Sequence, residues 1–583
     1  MLIGVDLDEI HVDIPFVENG EGGFGREDER DDTVGLVSND DGKHELGEEE
    51  DVGIEGDSAH PAARAQPSPS TLPRVGTSGR PQVIRPREAV YLGPAIITAC
   101  DTQNSSRSPK TPIGMVEERL HIAMLPWLAF GHMIPFLHLA VALATAGLRV
   151  SFLSTPRNIQ RLPKIPPHLT SLITFIQLPL PRVDGLPDQA EATVDLPTDE
   201  VPLLKIAYDL LQNSVKKFLA EESPDYVIHD FLQYWAAAAA RDMGVQSIFF
   251  SVYSAATLAF FGPPEALTED GRRKLRPTPE SLTSPPDWLP SGSTVAFRRR
   301  EAEVFYSAAF TMNSSGITDI DRFRLVVESC TAVAIRTCPE YEGEYLEIVR
   351  RLYRKPVIPV GLILPSPLAA SGEEGDDRWA RVIRWLDAQT PMSVVFVSFG
   401  SEYKMERREL HELAHGLELA NVPFLWVLRR PSWCNGSDEE ALPAGFIDRT
   451  KGRGTLCFGW APQLEILAHP SIGGSLFHSG WGSIIESLRH GHALVVLPCM
   501  VDQSLNARLL VEKGIAVEVE RQGDGSFTRD GIVKALDMAM VSGQGEELRT
   551  KTRKMATLFA DQELDDKYVR EFVDYLLKAV DTN

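Results

Sequence analysis

Leu120–Leu153 reads, in successive pieces, LHIAML, PWLAFGH, MIPFLHLAVALATA, GL and RVSFL. The first and last pieces are short apolar runs. The third carries apolar residues at helical spacing, and Gly147 sits just past its end. A short apolar run, a turn, a helix-period segment and a second short run make a strand–helix–strand unit of a parallel sheet. The apolar stretch Ala123–Gly147 also resembles a membrane span in length. Pro126, Gly131, His132, Pro135 and His138 interrupt it, and lipid would strand those imidazoles in hydrocarbon. A buried helix and no membrane span are therefore expected.

The same alternation continues outward. Further strands are expected at Ile173–Leu178, Tyr226–His229, Ser247–Ser251 and Ala332–Arg336, with helices at Met133–Ala146, Pro202–Ala220 and Phe231–Met243. A second series follows: Val394–Ser398, Phe424–Leu428, Thr455–Phe458, Gly474–Phe477, Leu494–Leu497 and Ala516–Val519, with helices at Arg407–Leu419 and Ile484–Arg489. Pro356–Asp377 is rich in Pro, Gly and acidic residues and reads as a linker. Gly262–Ser293, rich in Pro, Ser and Thr, reads as a long surface loop. The expectation is an α/β protein of two doubly wound, Rossmann-like domains, residues 115–358 and 378–560, facing across a cleft. Residues 359–377 join them, and 561–583 form a C-terminal helix packing back on the first domain.

Residues 1–114 differ in kind. They carry half of the chain's net charge of −24, in runs such as Glu48-Glu49-Glu50-Asp51, followed by a Pro/Ser/Arg-rich stretch. Such composition buries too little apolar surface to offset ordering entropy, so a disordered acidic extension is expected. A chain of 583 residues is too long for one core, in keeping with two domains. The acidity argues against nucleic-acid binding, which needs a basic footprint. Six scattered cysteines without a CxxC suit free thiols in the cytoplasm.

Two segments carry chemistry. In Phe130-Gly131-His132, the histidine falls just past the carboxyl end of the first strand, where doubly wound sheets bind ligands. An imidazole there can take a proton from an alcohol at neutral pH, given a carboxylate to orient it. Asp230, ending the strand Tyr226–His229, is the candidate; His138 and His229 read as structural. The second segment runs from Trp460-Ala461-Pro462-Gln463 through Gly473-Gly474 and His478-Ser479-Gly480-Trp481-Gly482-Ser483 to Glu486, Asp502 and Gln503. Trp460 can stack on a flat base and Gln463 can bond its edge or a ribose. His478 and Ser483 stand where a strand turns into a helix, so free amides and the helix dipole can hold a diphosphate. Glu486, one turn on, can accept ribose hydroxyls, and Asp502 and Gln503 sugar hydroxyls. A zinc site among His469, His478, His490 and His492 is disfavoured by their spacing and the lack of a Cys pair.

Trp460–Gln503 closely resembles the donor-binding signature of plant secondary-product UDP-glycosyltransferases, and Gly131-His132 resembles that family's catalytic histidine region. Ser154-Thr155-Pro156-Arg157-Asn158 and Leu178-Pro179-Leu180-Pro181-Arg182-Val183 resemble the branch that adds sugars to existing glycosides. The resemblance implies a GT-B fold and an inverting, metal-independent transfer of a hexose from a UDP-sugar to a small-molecule hydroxyl. No cofactor is implied beyond the UDP-sugar co-substrate. His132 would be the base and Asp230 its support. Trp460, Ala461, Gln463 and Glu486 would hold uridine. His478, Trp481, Gly482, Ser483 and Ser401 would line the diphosphate. Asp502 and Gln503 would face the sugar, and Gln503 favours glucose, with rhamnose the alternative. Ser479 and Gly482 depart from the Cys and Asn usual in the family. Acceptors would be flavonoids, terpenoids or their glycosides, and the protein is expected to be a monomer. The competing reading is a nucleotide-sugar-binding homologue that has lost catalysis.

Overall fold

The computed structural model describes residues 120–364 and 377–581. The expected extension over residues 1–114 lies outside the described residues, as does 365–376 of the expected linker.

The first sheet is built from β1 (His121–Leu125), β2 (Arg149–Ser154), β3 (Ile173–Gln177), β4 (Tyr226–His229), β5 (Gln246–Ser251), β6 (Ala332–Ile335) and β7 (Val357–Pro359), in the order β3-β2-β1-β4-β5-β6-β7. The second comprises β8 (Val394–Ser398), β9 (Phe424–Leu428), β10 (Gly454–Phe458), β11 (Ile472–Phe477), β12 (Ala493–Val496) and β13 (Ala516–Glu518), in the order β10-β9-β8-β11-β12-β13. Every pairing within both sheets is parallel. Each sheet thus winds outward in both directions from one central pair, β1/β4 and β8/β11. Loops diverge at those two switch points and leave a crevice at the strands' carboxyl ends. This is the expected pair of Rossmann-like folds.

The strands are apolar on both faces because helices cover both. Ala123 and Leu125 of β1 join one core cluster, and Ile122 and Met124 join the one on the opposite face. Val395 and Val397 of β8 are divided from Val394 and Phe396 in the same way. Four helices position the site or brace it: α1 (Phe130–Thr145), α2 (Trp481–Arg489), α3 (Val501–Glu512) and α4 (Gln562–Asp581). Phe572 and Leu576 of α4 pack with Ile122 and Met124, and the Tyr226 hydroxyl donates to the Leu576 carbonyl at 2.8 Å. Asp565 accepts from the amides of Ile363 and Leu364 at 2.8 and 2.9 Å. No helix among the described residues is long and apolar enough to cross a membrane.

Several expectations are corrected. Helix α1 starts at Phe130, three residues early, because the Ala129 carbonyl already accepts from the amides of His132 and Met133. His132 therefore lies in the first helical turn. The expected helix Phe231–Met243 shrinks to Ala236–Asp242, since Asp230 captures the Phe231 amide and Arg322 the Leu232 carbonyl. The span Pro202–Ala220 divides into Val201–Asp209 and Gln212–Glu222. The expected loop Gly262–Ser293 contains helices Pro264–Leu267 and Glu269–Leu275 and buries Leu267 and Leu282. Arg276, also buried there, stacks over Phe260. The Pro-rich stretch expected as linker begins with β7, which completes the sheet.

Candidate active site

His132 follows β1 and Asp230 follows β4, so the first switch point brings together two residues 98 apart in sequence. His132 Nδ1 donates to Asp230 Oδ2 at 2.7 Å. The same oxygen accepts from the Trp127 amide at 3.1 Å, and Oδ1 accepts from the Phe231 amide at 2.8 Å. Burial alone would raise Asp230, but the His132 ring and the Phe231 amide outweigh it and hold the carboxyl below its ordinary value. Burial pushes His132 below its ordinary value by more than Asp230 raises it. The ring is therefore neutral at neutral pH, with its proton on Nδ1 and the lone pair on Nε2. Phe231 and Tyr253 wall it, with ring centroids at 5.6 and 5.8 Å. His138 and His229 are buried and held neutral, at about 3 and about 4, as structural residues would be.

The second switch point carries the cradle. Ser401 follows β8, and the turn His478–Gly480 links β11 to α2. Ser479 adopts a left-handed φ of 57°, and its hydroxyl donates to the Gln503 carbonyl at 2.8 Å, joining this turn to α3. Gly400 (φ 71°) lets its loop lie against His478; a Cβ there would meet the ring at 2.8 Å. Amides of the first turn of α2, including those of Gly482 and Ser483, are turned to the crevice as at any helix N-terminus. Glu486, one turn on, accepts from Gln463 Nε2 at 2.6 Å. Burial raises Glu486, against the Gln463 bond and the charge of Arg336. Trp460, next to Ala461, is 57 % exposed. Arg429 stacks over it at 4.7 Å, and Phe130 of α1 meets its edge from across the cleft at 5.9 Å.

Asp502 leads α3 and accepts from Asn506 at 3.1 Å; burial pushes it up to about 6. Three side chains differ from expectation. The Trp481 indole is buried away from the cradle, stacked on Tyr341 with centroids 5.6 Å apart and donating to the Arg336 carbonyl at 2.7 Å. A large apolar ring gains more from that packing than from a wet diphosphate site, so only its backbone amide stays at the helix end. Gln503 Oε1 turns back to accept from the amides of Cys499 and Met500, capping α3. His478, expected to help offset leaving charge, is lowered to about 4 by burial, so its ring brings one N–H donor and no charge.

Residues missed by sequence reasoning also converge here. Glu402 accepts from Thr193 across the cleft at 2.7 Å and from Ser401 at 3.2 Å. Asn506 accepts from Ser254 at 2.8 Å and donates to the Ser479 carbonyl at 3.2 Å. Their only signals were the position of Glu402 beside Ser401 and of Asn506 one turn after Asp502. Among the described residues, no group of three or more His, Cys, Asp or Glu is arranged to hold a metal. His490 and His492 stack on each other, while His469 bonds Ser471.

Arranged this way, a neutral imidazole oriented by a carboxylate stands at one switch point, and a helix N-terminus, an exposed indole and a carboxylate bonded to Gln463 gather at the second sheet's carboxyl ends. Comparison with known proteins agrees. The family described as UDP-glucoronosyl and UDP-glucosyl transferase matches residues 376–566, and the glycosyltransferase N-terminal domain matches residues 118–317. The chain is 42 % identical to UDP-glycosyltransferase 91C1 of Arabidopsis thaliana over 461 residues, covering 79 % of this chain and 97 % of that one. It is 41 % identical to the soyasaponin III rhamnosyltransferase of Glycine max over 465 residues, covering 79 % and 96 %. In fold it resembles a Glycyrrhiza uralensis protein complexed with glycyrrhetinic acid 3-O-monoglucuronide, with a TM-score of 0.65, 24 % identity, and 80 % and 98 % of the two chains covered. The fold is GT-B, and the chain belongs to the plant secondary-product UDP-glycosyltransferase family, an enzyme family that transfers hexoses from UDP-sugars.

Proposed function

We propose that this enzyme transfers glucose from UDP-glucose to a hydroxyl of a small-molecule secondary metabolite or its glycoside, with inversion and without a metal. The observation that carries this reading is the 2.7 Å His132–Asp230 pair at one switch point, across the crevice from the helix-end cradle at the other. His132 Nε2 takes the acceptor hydroxyl's proton, and Asp230 steadies the imidazolium that forms. The acceptor oxygen attacks the anomeric carbon from the side opposite the diphosphate. The bond from that carbon to the phosphate oxygen breaks, and its electron pair leaves on UDP. Amides of α2, Ser483, Ser401 and a His478 N–H take up that charge. Gln463 and Glu486 hold the ribose, Trp460 and Ala461 flank the base, and Asp502 faces the sugar, while Gln503 caps the helix that carries it.

A second reading, UDP-rhamnose as donor, is favoured by the soyasaponin III relative, which is a rhamnosyltransferase. The test is incubation of the purified chain with UDP-glucose or UDP-rhamnose, flavonoid and terpenoid glycosides, and excess EDTA, with products weighed by mass spectrometry. A hexose adduct from UDP-glucose is expected. An adduct from UDP-rhamnose alone selects the second reading. Transfer abolished by EDTA overturns metal independence. UDP binding without any transfer selects the non-catalytic homologue. The same proposal has the enzyme working as a cytoplasmic monomer, in keeping with free thiols at Cys330, Cys338, Cys434, Cys457 and Cys499.

A further inference from the structure

Strand β6 is apolar, yet the residue that follows it is Arg336, which is 2 % exposed. A buried guanidinium is strongly disfavoured unless an anion pairs with it. Arg336 Nε donates to the Leu362 carbonyl at 2.7 Å and Nη2 to the Ile363 carbonyl at 3.3 Å. Those carbonyls satisfy two donors but leave the charge uncompensated. Glu486 and Asp565 act on it electrostatically, but neither forms an ion pair with it among the described residues. Both are committed elsewhere: Asp565 to the Ile363 and Leu364 amides, Glu486 to Gln463. Burial pushes Arg336 down to about 10, so it remains a cation at neutral pH.

The third nitrogen, Nη1, makes no hydrogen bond among the described residues. It lies 3.6 Å from the point where a side chain on Gly482 would begin. Gly482 is the second residue of α2, inside the turn whose amides face the crevice. The glycine thus leaves a gap between a buried, unpaired cation and an anion-binding helix end. The turn's other candidate for positive charge, His478, is neutral.

We infer that Arg336 reaches through the gap at Gly482 to bind the donor diphosphate and offset the charge that leaves with UDP. This rests on the reading of the cradle as a UDP-sugar site. Two of its nitrogens are anchored on the Leu362 and Ile363 carbonyls, so the guanidinium is oriented before the ligand arrives. A planar fork suits both tasks at once, whereas an ammonium would have to give up one.

The test is calorimetric titration of the full chain with UDP and with uridine. Arg336→Gln is expected to weaken UDP by about tenfold to a hundredfold while leaving uridine within about twofold, because a charge-assisted bond to the diphosphate is lost and the nucleoside contacts stay. Arg336→Lys, which keeps the charge, loses less. Gly482→Ala meets only an ordinary van der Waals contact, so it folds whatever happens to the arginine variants. Its methyl narrows the gap, so it weakens UDP in the native background and has no further effect beside Arg336→Gln. Native-like UDP affinity in Gly482→Ala and in whichever arginine variants fold, or a proportionate loss of uridine, overturns the inference. A native chain that binds neither UDP nor uridine overturns the donor-site reading itself.

Discussion

His132 acts as a base only while its ring is neutral and its Nε2 lone pair faces the acceptor. Asp230 serves both conditions through one 2.7 Å bond, and is itself pinned by the amides of Trp127 and Phe231. His132→Ala is expected to lower kcat by about a hundredfold to ten-thousandfold with UDP affinity unchanged. Burial, the larger influence, lowers the His132 pKa below its ordinary 6.5. Protonation abolishes the base, so kcat/KM should be flat above about pH 6.5 and fall only as pH drops through that lowered value. A profile already falling between pH 8 and 7, or unaltered in His132→Ala, would remove the histidine from the mechanism. His132 and Asp230 were legible in the sequence because one opens the helix after an apolar strand and the other directly follows one, and such positions open on the crevice of any doubly wound sheet. The directions of the Trp481 indole and of Gln503 Oε1 were not, since a side chain's direction depends on neighbours such as Tyr341 and the Cys499 amide.

At the scale of elements, helix α4 begins just beyond the second sheet's part of the chain and packs against the first sheet. Leu576 is wholly buried beside Ile122, Met124 and Phe572. Leu576→Ala should destabilise the fold by about 2–5 kcal/mol through lost burial and the cavity left behind. Urea denaturation measures this, and a change below about 0.5 kcal/mol, the scale of surface substitutions, would mean the helix is peripheral. Strands other than β7, and the body of α1, were readable from period alone. The short helices within Gly262–Ser293 were not, because Pro, Ser and Thr also cap and start short helices: Thr268 caps Glu269–Leu275 through its hydroxyl. Strand β7, three residues long, carries too little pattern to be seen at all.

For the whole molecule, the two sheets are joined by contacts spread along the cleft: Phe130 with Trp460, Thr193 with Glu402 and Ser254 with Asn506. Each pair sets a residue from the first sheet's part of the chain beside one from the second's, so the cleft's width and the donor site's geometry are coupled. The family matches begin at residue 118, and residues 1–114 have an acidic composition poor in core-forming residues. Deleting them should leave kcat and the melting temperature of the rest unchanged. A truncated enzyme that is inactive, or melts several degrees lower, would make the extension part of the working protein.

By itself the sequence determined the two α/β halves, the strand-end histidine and carboxylate, and the run from Trp460 to Gln503, because periodicity and strand-end position are local properties of a chain. Only the tertiary structure decided that Asp230 grips His132, that Trp481 leaves the cradle for the domain interface, and that Arg336 stands unpaired behind Gly482. Those facts arise where segments about a hundred residues or more apart compete for the same space, and the outcome is set by packing and desolvation that no local pattern records.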